Sequence, residues 1–90
     1  MSLQEDIRTF IVDNFLFGED GGLKDDSSFL AEGIVDSTGI MQLVSYIQEQ
    51  HLIFVEDEEL IPDNLDSIKK VTSFIEAKKM ALAAGSGIPE

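Results

Sequence analysis

Asp36 and Ser37 stand side by side in the stretch EGIVDSTGIMQLV, residues 32–44. A serine hydroxyl can cap a helix, act as a nucleophile beside a base, or carry a covalent group. Nucleophilic catalysis needs that base, and His51 is the chain's only histidine. If one helix carries both residues, fourteen positions at about 1.5 Å each separate them by about 21 Å. They cannot then hydrogen-bond unless the helix breaks, so neither a Ser-His site nor a catalytic residue is expected. His51 reads as a surface residue near a helix end. A phosphate ester on Ser37 is a different matter. The first turn of a helix has unpaired N–H groups and a partial positive charge, and both stabilise an anion. Gly33 allows a tight turn before the serine, and Gly39 reads as removing bulk beside its hydroxyl. Taken alone, the Asp-Ser pair is an ordinary helix start, with either residue as the cap.

Other chemistries fail on spacing. A calcium loop needs Asp at its first position and Gly at its sixth, and counting back from Gly21 or Gly22 reaches Leu16 or Phe17. There is no phosphate-cradling glycine loop, no histidine pair for zinc and no cysteine. No metal site is expected.

The elements around the serine read as helices. Ser2 and Glu5 have capping-box spacing, and Leu3, Ile7, Phe10, Ile11 and Phe15 recur at helical intervals, which predicts a helix over about 3–16. A glycine- and acid-rich stretch follows, so residues 17–35 form a long loop. Leu23, Phe29, Leu30 and Ile34 are expected to pin it to the core. A second helix starts at Asp36 or Ser37, runs to about Gln50, and turns Ile40, Leu43, Val44 and Ile47 inward. Residues 52–55, LIFV, read as an extended connector. Residues 57–60 make at most one helical turn, which Pro62 ends. Asn64 or Asp66 then caps a last helix that buries Leu65, Ile68, Val71, Phe74 and Ile75. The expectation is all-α: three main helices, one short helix and a long loop between helices 1 and 2. Residues 1–82 form one domain, and 83–90 a flexible C-terminal tail.

Eighteen acidic residues face six basic ones, for a formal net charge of -12. Of the basic residues only Arg8 and Lys24 precede residue 67. Such a surface repels nucleic acid and anionic lipid and steers toward proteins with basic patches, unless it serves solubility alone. No apolar run approaches the roughly 18 residues of a membrane span, and the N-terminus lacks a basic start and apolar core, so a cytoplasmic monomer is the expectation.

Three segments, FLAEGIVDS, DEELIPDN and DSIKKVTSFI, occur in an order and at a spacing that resembles the carrier-protein family of acyl and peptidyl carrier proteins. The likeness spans about residues 3–79. It implies a four-helix carrier bundle. It implies that Ser37 receives 4′-phosphopantetheine from coenzyme A through a phosphopantetheinyl transferase, with Asp36 helping that enzyme hold its metal or orient the hydroxyl. Acyl, polyketide or aminoacyl cargo then rides as a thioester, supplied by a loading ligase or synthase and passed to acyltransferases. Three departures stand out. Thr38 replaces the family's usual leucine. Helix 2 carries a single acid, Glu49. The acidity sits instead in the first loop and in Glu56, Asp57, Glu58 and Glu59, and the stretch DEELIPDNLDSI looks more like free-standing carriers of specialised pathways, including aminoacyl and secondary-metabolite carriers. The resemblance therefore leans toward a free-standing carrier of specialised biosynthesis, with partner contacts at Thr38, Met41 and that acidic cluster. The alternative is a small acidic helical adaptor in which Ser37 is only a cap.

Overall fold

The structure is a computed structural model that describes residues 2–19 and 21–85. Among them are four α-helices and no strand: α1 (Leu3–Phe15), α2 (Ser37–His51), α3 (Pro62–Leu65) and α4 (Ile68–Gly85), with one 3₁₀ turn over Asp57–Glu59. The all-α expectation holds. Helix α4 extends three residues beyond the expected domain end at 82, and residues 86–90 of the expected tail lie outside the described residues.

Helix α1 starts as its sequence dictates. Ser2 Oγ accepts from the Glu5 N–H and Glu5 Oε1 accepts from the Ser2 N–H, both at 3.1 Å. Two otherwise orphaned N–H groups are thereby satisfied. Ile7 and Ile11 are fully buried, with Phe10 and Phe15 packed beside them. Phe17 then takes a positive φ of 56° and ends the helix.

The long loop is fastened rather than free. Arg8 donates to the Leu23 carbonyl at 2.8 Å and to Asp25 Oδ1 at 2.6 Å. The Lys69 N–H, at the start of α4, donates to the Asp25 carbonyl. Leu23, Phe29 and Val35 are buried, as expected of the first two, and Ile34 packs against the core. Leu30 differs from its expectation. It is 49% exposed, because Phe29 takes the inward position and turns the next residue out.

Two other expectations are corrected. Pro62 begins the short helix instead of ending one. Its fixed φ suits a first helical position, where no N–H is needed. Residues 57–59 form a separate 3₁₀ turn. Neither Asn64 nor Asp66 caps α4. Asn64 lies inside α3, Asp66 closes it, and Ser67 Oγ accepts the Lys70 N–H at 3.0 Å to start α4. The expected extended connector over 52–55 fails at its first residue: Leu52 takes left-handed backbone (φ 55°, ψ 45°) and closes α2, and after it Ile53 and Val55 are buried while Leu52 and Phe54 are exposed. Leu43, Val44, Ile47, Ile68, Val71 and Ile75 are core residues, whereas Ile40 is only partly buried.

His51 is not a loose surface residue. Its side chain is 13% exposed. Lys79 Nζ lies 3.2 Å from His51 Nδ1, and an ammonium can only donate, so Nδ1 accepts. The proton is then on Nε2, which donates to Asp6 Oδ2 at 2.9 Å. Tyr46 Oη donates to the other oxygen, Oδ1, at 2.6 Å, and its ring stacks on Phe10. One carboxylate thus ties α1 to the end of α2, and the histidine reaches on to α4. Burial, then the Asp6 hydrogen bond and its charge, push the Tyr46 hydroxyl from 10.0 up to about 12. A raised phenol pKa favours the protonated fold, so this stabilisation is complete below pH 10 and is lost as pH rises toward 12. Tyr46→Phe is expected to cost about 1.5–3 kcal/mol at neutral pH, as a hydrogen bond to a charged group does. Urea denaturation across the alkaline range checks it. The gap between wild type and variant should shrink from pH 10 to 12, and a constant gap would contradict the assignment.

Candidate functional site

The start of α2 decides what Ser37 is. Asp36 has extended backbone (φ -95°, ψ -174°), and its Oδ1 accepts the Gly39 N–H at 2.8 Å. Its carbonyl accepts the Ile40 N–H. Asp36 is therefore the cap, and Ser37 is the first helical residue. Ser37 is exposed, and its hydroxyl makes no hydrogen bond to the described residues. The N–H groups of Ser37 and Thr38 belong to the turn that lacks intrahelical acceptors, and no acid lies within that turn. An anion on Ser37 Oγ would meet these donors and the positive end of the helix. The second Asp36 oxygen accepts nothing from the described residues and is left exposed.

Gly33 has φ +68°, as the tight turn before the serine requires. Gly39 has a role different from the one expected. It is buried and faces away from the hydroxyl. A Cβ there would lie 2.8 Å from both Phe15 Cε1 and Val35 Cγ1. The glycine lets the end of α1 and the last loop residues close against the first turn of α2.

Beside Ser37 is an apolar pocket of about 330 Å³. Ser37, Ile40 and Met41 line it from α2. Leu60, Ile61, Pro62 and Leu65 line it from the approach to α3 and from α3 itself, with Leu30 and Asp66 at the remaining side. The sequence pointed to Ser37 and Met41. It gave no sign of the opposite wall, because residues 60–62 carry no helical periodicity and Leu30 reads as core. Met41 is 51% exposed and Thr38 is exposed next to the serine, so both are open to a partner.

The acidic cluster divides. Glu56, Asp57 and Glu58 are exposed. Glu59 Oε1 pairs with Lys78 Nζ at 2.8 Å and accepts the Glu56 N–H at 2.9 Å. These bonds, that to Lys78 first, hold its carboxyl below the usual carboxylate range. Glu59 is thus committed within the fold. Among the described residues no group of three or more acidic, histidine or cysteine side chains is placed to hold a metal ion. No described helix is long and apolar enough to cross a membrane.

A short all-α chain with a capped, exposed serine at the head of its second helix is consistent with a small carrier-protein bundle. No protein-family model matches the chain. Over 77 residues, 86% of this chain and 88% of the other, it is 25% identical to the probable acyl carrier protein PigG of Serratia sp. (strain ATCC 39006). At that low identity the likeness supports a carrier role in general terms.

Gly39→Ala tests the packing at the serine. Alanine gains about 1 kcal/mol of helix propensity over glycine. Overpacking against an aromatic ring edge and a stiff valine methyl costs about 1–3 kcal/mol. The variant should therefore unfold at lower urea concentration. A gain in stability would show that Phe15 and Val35 yield freely.

Proposed function

We propose that this chain is a carrier protein whose Ser37 receives 4′-phosphopantetheine from coenzyme A. That group supplies a thiol on a flexible arm, on which acyl or aminoacyl cargo is held as a thioester. The observation that carries the reading is the division of roles at the head of α2: Asp36 caps, and Ser37 has an uncommitted hydroxyl beside an apolar pocket.

The residues fit the group. Esterifying Ser37 Oγ breaks no bond to a described residue, and the first turn receives the phosphate with its free N–H groups. The chain offers no base to activate the hydroxyl, since His51 is bound to Asp6 and Lys79 at the other end of α2. A phosphopantetheinyl transferase must therefore supply the base and the metal. The free oxygen of Asp36 is available to that metal or to orient the Ser37 hydroxyl. On this reading the chain is not an enzyme, and residues 1–82 form its carrier domain in the cytoplasm. Its partners are the transferase, a cargo-loading ligase or synthase, and acyltransferases downstream. Thr38 and Met41 provide uncharged contact beside the serine, and exposed acids such as Glu56, Asp57 and Glu58 steer basic partners. With a single acid in α2, recognition there depends on shape and apolar contact, which suits a carrier of specialised biosynthesis.

Intact-mass spectrometry after incubation with coenzyme A and a broad-specificity transferase tests this. Wild type should gain one phosphopantetheine, and Ser37→Ala none. Raising salt should slow modification, because charges attract across the encounter. Modification of Ser37→Ala would put the group on another residue and overturn the assignment, and no modification of wild type would leave the adaptor reading, with Ser37 unused.

A further inference from the structure

Asp66 lies between α3 and α4 and holds three consecutive loop residues. Its Oδ2 accepts from Ser28 Oγ at 2.5 Å, its carbonyl from the Phe29 N–H at 2.7 Å, and its Oδ1 from the Leu30 N–H at 3.0 Å. Phe29 is fully buried, which leaves the neighbouring Leu30 no inward position. Leu30 becomes a wall of the pocket beside Ser37, and Leu65 and Asp66 line the same cavity. This wall is assembled from segments 36 residues apart, and the Asp66 carboxylate joins them. We infer that Asp66 is a positioning residue. It fixes Leu30 at the pocket and thereby sets the length of acyl chain that the pocket can cover.

The inference rests on the reading of Ser37 as the attachment point and names the cargo more narrowly. At about 330 Å³ the cavity is near the low end of small-ligand pockets, which begin at about 300 Å³. Among the described residues no basic side chain lines it. A cargo carboxylate would face Asp66 with no cation to pair it, at a desolvation cost. The cargo that fits is a short, uncharged, apolar acyl group.

The experiment uses full-length chain modified by a transferase and loaded with butyryl or octanoyl groups. Hydroxylamine attacks the thioester carbonyl, giving a hydroxamate and the free thiol, so its rate reports exposure of the cargo. In wild type the butyryl group should be cleaved more slowly than the octanoyl group. Asp66→Ala should speed butyryl cleavage about fivefold, near 1 kcal/mol of lost protection. It should change octanoyl cleavage less. Leu30→Ala should reproduce this preference. Ser28→Ala removes one of the two Asp66 side-chain bonds, together with the bond that Ser28 Oγ accepts from the Ala31 N–H, and should act in the same direction by a smaller factor, which keeps the test open if Asp66→Ala does not fold. Asp66→Asn can still accept from the Leu30 N–H and should stay near wild type. On the unmodified chain, amide exchange at Leu30 should rise in Asp66→Ala. Faster exchange with unchanged butyryl and octanoyl rates would make Asp66 merely structural and overturn the inference. Equal rates for both groups in wild type would also overturn it. Failure of wild type to accept phosphopantetheine at all would instead overturn the underlying reading of Ser37.

Discussion

A carboxylate at position 36 closes the first turn of α2, and the character of the serine follows from it. A helix start must satisfy its leading N–H groups. Had Ser37 met that need, its hydroxyl would be an internal part of the fold, and modifying it would have cost the cap. Because Asp36 accepts the Gly39 N–H, the hydroxyl one residue later is left to solvent. The same Gly39 has no side chain, so Phe15 and Val35 can press against this turn from behind. The turn is packed on its inner side and open on its outer side.

A second set of polar contacts holds the long loop in place. Arg8 anchors residues 23 and 25 to α1, and Asp66 anchors residues 28–30 to the head of α4. Phe29 and Val35 complete the attachment through burial. Several acids in this strongly acidic chain have internal duties: Asp6, Asp25, Asp36, Glu59 and Asp66 each accept from a specific donor. Others, among them Glu56, Asp57 and Glu58, are exposed to solvent. The structure therefore separates two uses of negative charge that composition alone merges. Asp36 caps its own helix, the carboxylates of Asp6, Asp25, Glu59 and Asp66 fix segments that are distant in sequence, and external ones act over a screened distance of about 8–10 Å.

Local signals were legible in the sequence, and tertiary ones were not. The Ser2–Glu5 capping box depends on two residues three apart, so its pattern and its structure agree. The inward faces of α2 and α4 follow from periodicity, and only Ile40 strays, because a pocket rather than a helix lies opposite it. Asp36 and Ser37 could each have been the cap, and only the backbone angle at 36 separates them. Pro62 read as a stop because a proline ends a preceding helix as naturally as it begins a following one. Gly39 read as room for the hydroxyl, whereas its neighbours come from residues 15 and 35, which sequence spacing does not bring together. His51 read as exposed because its partners, Asp6 and Lys79, are 45 and 28 positions away.

The central claim is that the fold uses Asp36 and presents Ser37. The direct test compares equilibrium urea unfolding of Asp36→Ala and Ser37→Ala, both without the prosthetic group. Loss of the cap should cost Asp36→Ala about 1 kcal/mol, the usual value for such a residue. Ser37→Ala, losing only an unengaged hydroxyl, should match wild type within about 0.5 kcal/mol, as exposed substitutions do. A Ser37→Ala protein destabilised as much as Asp36→Ala would mean that the serine is part of the cap, and would contradict the account.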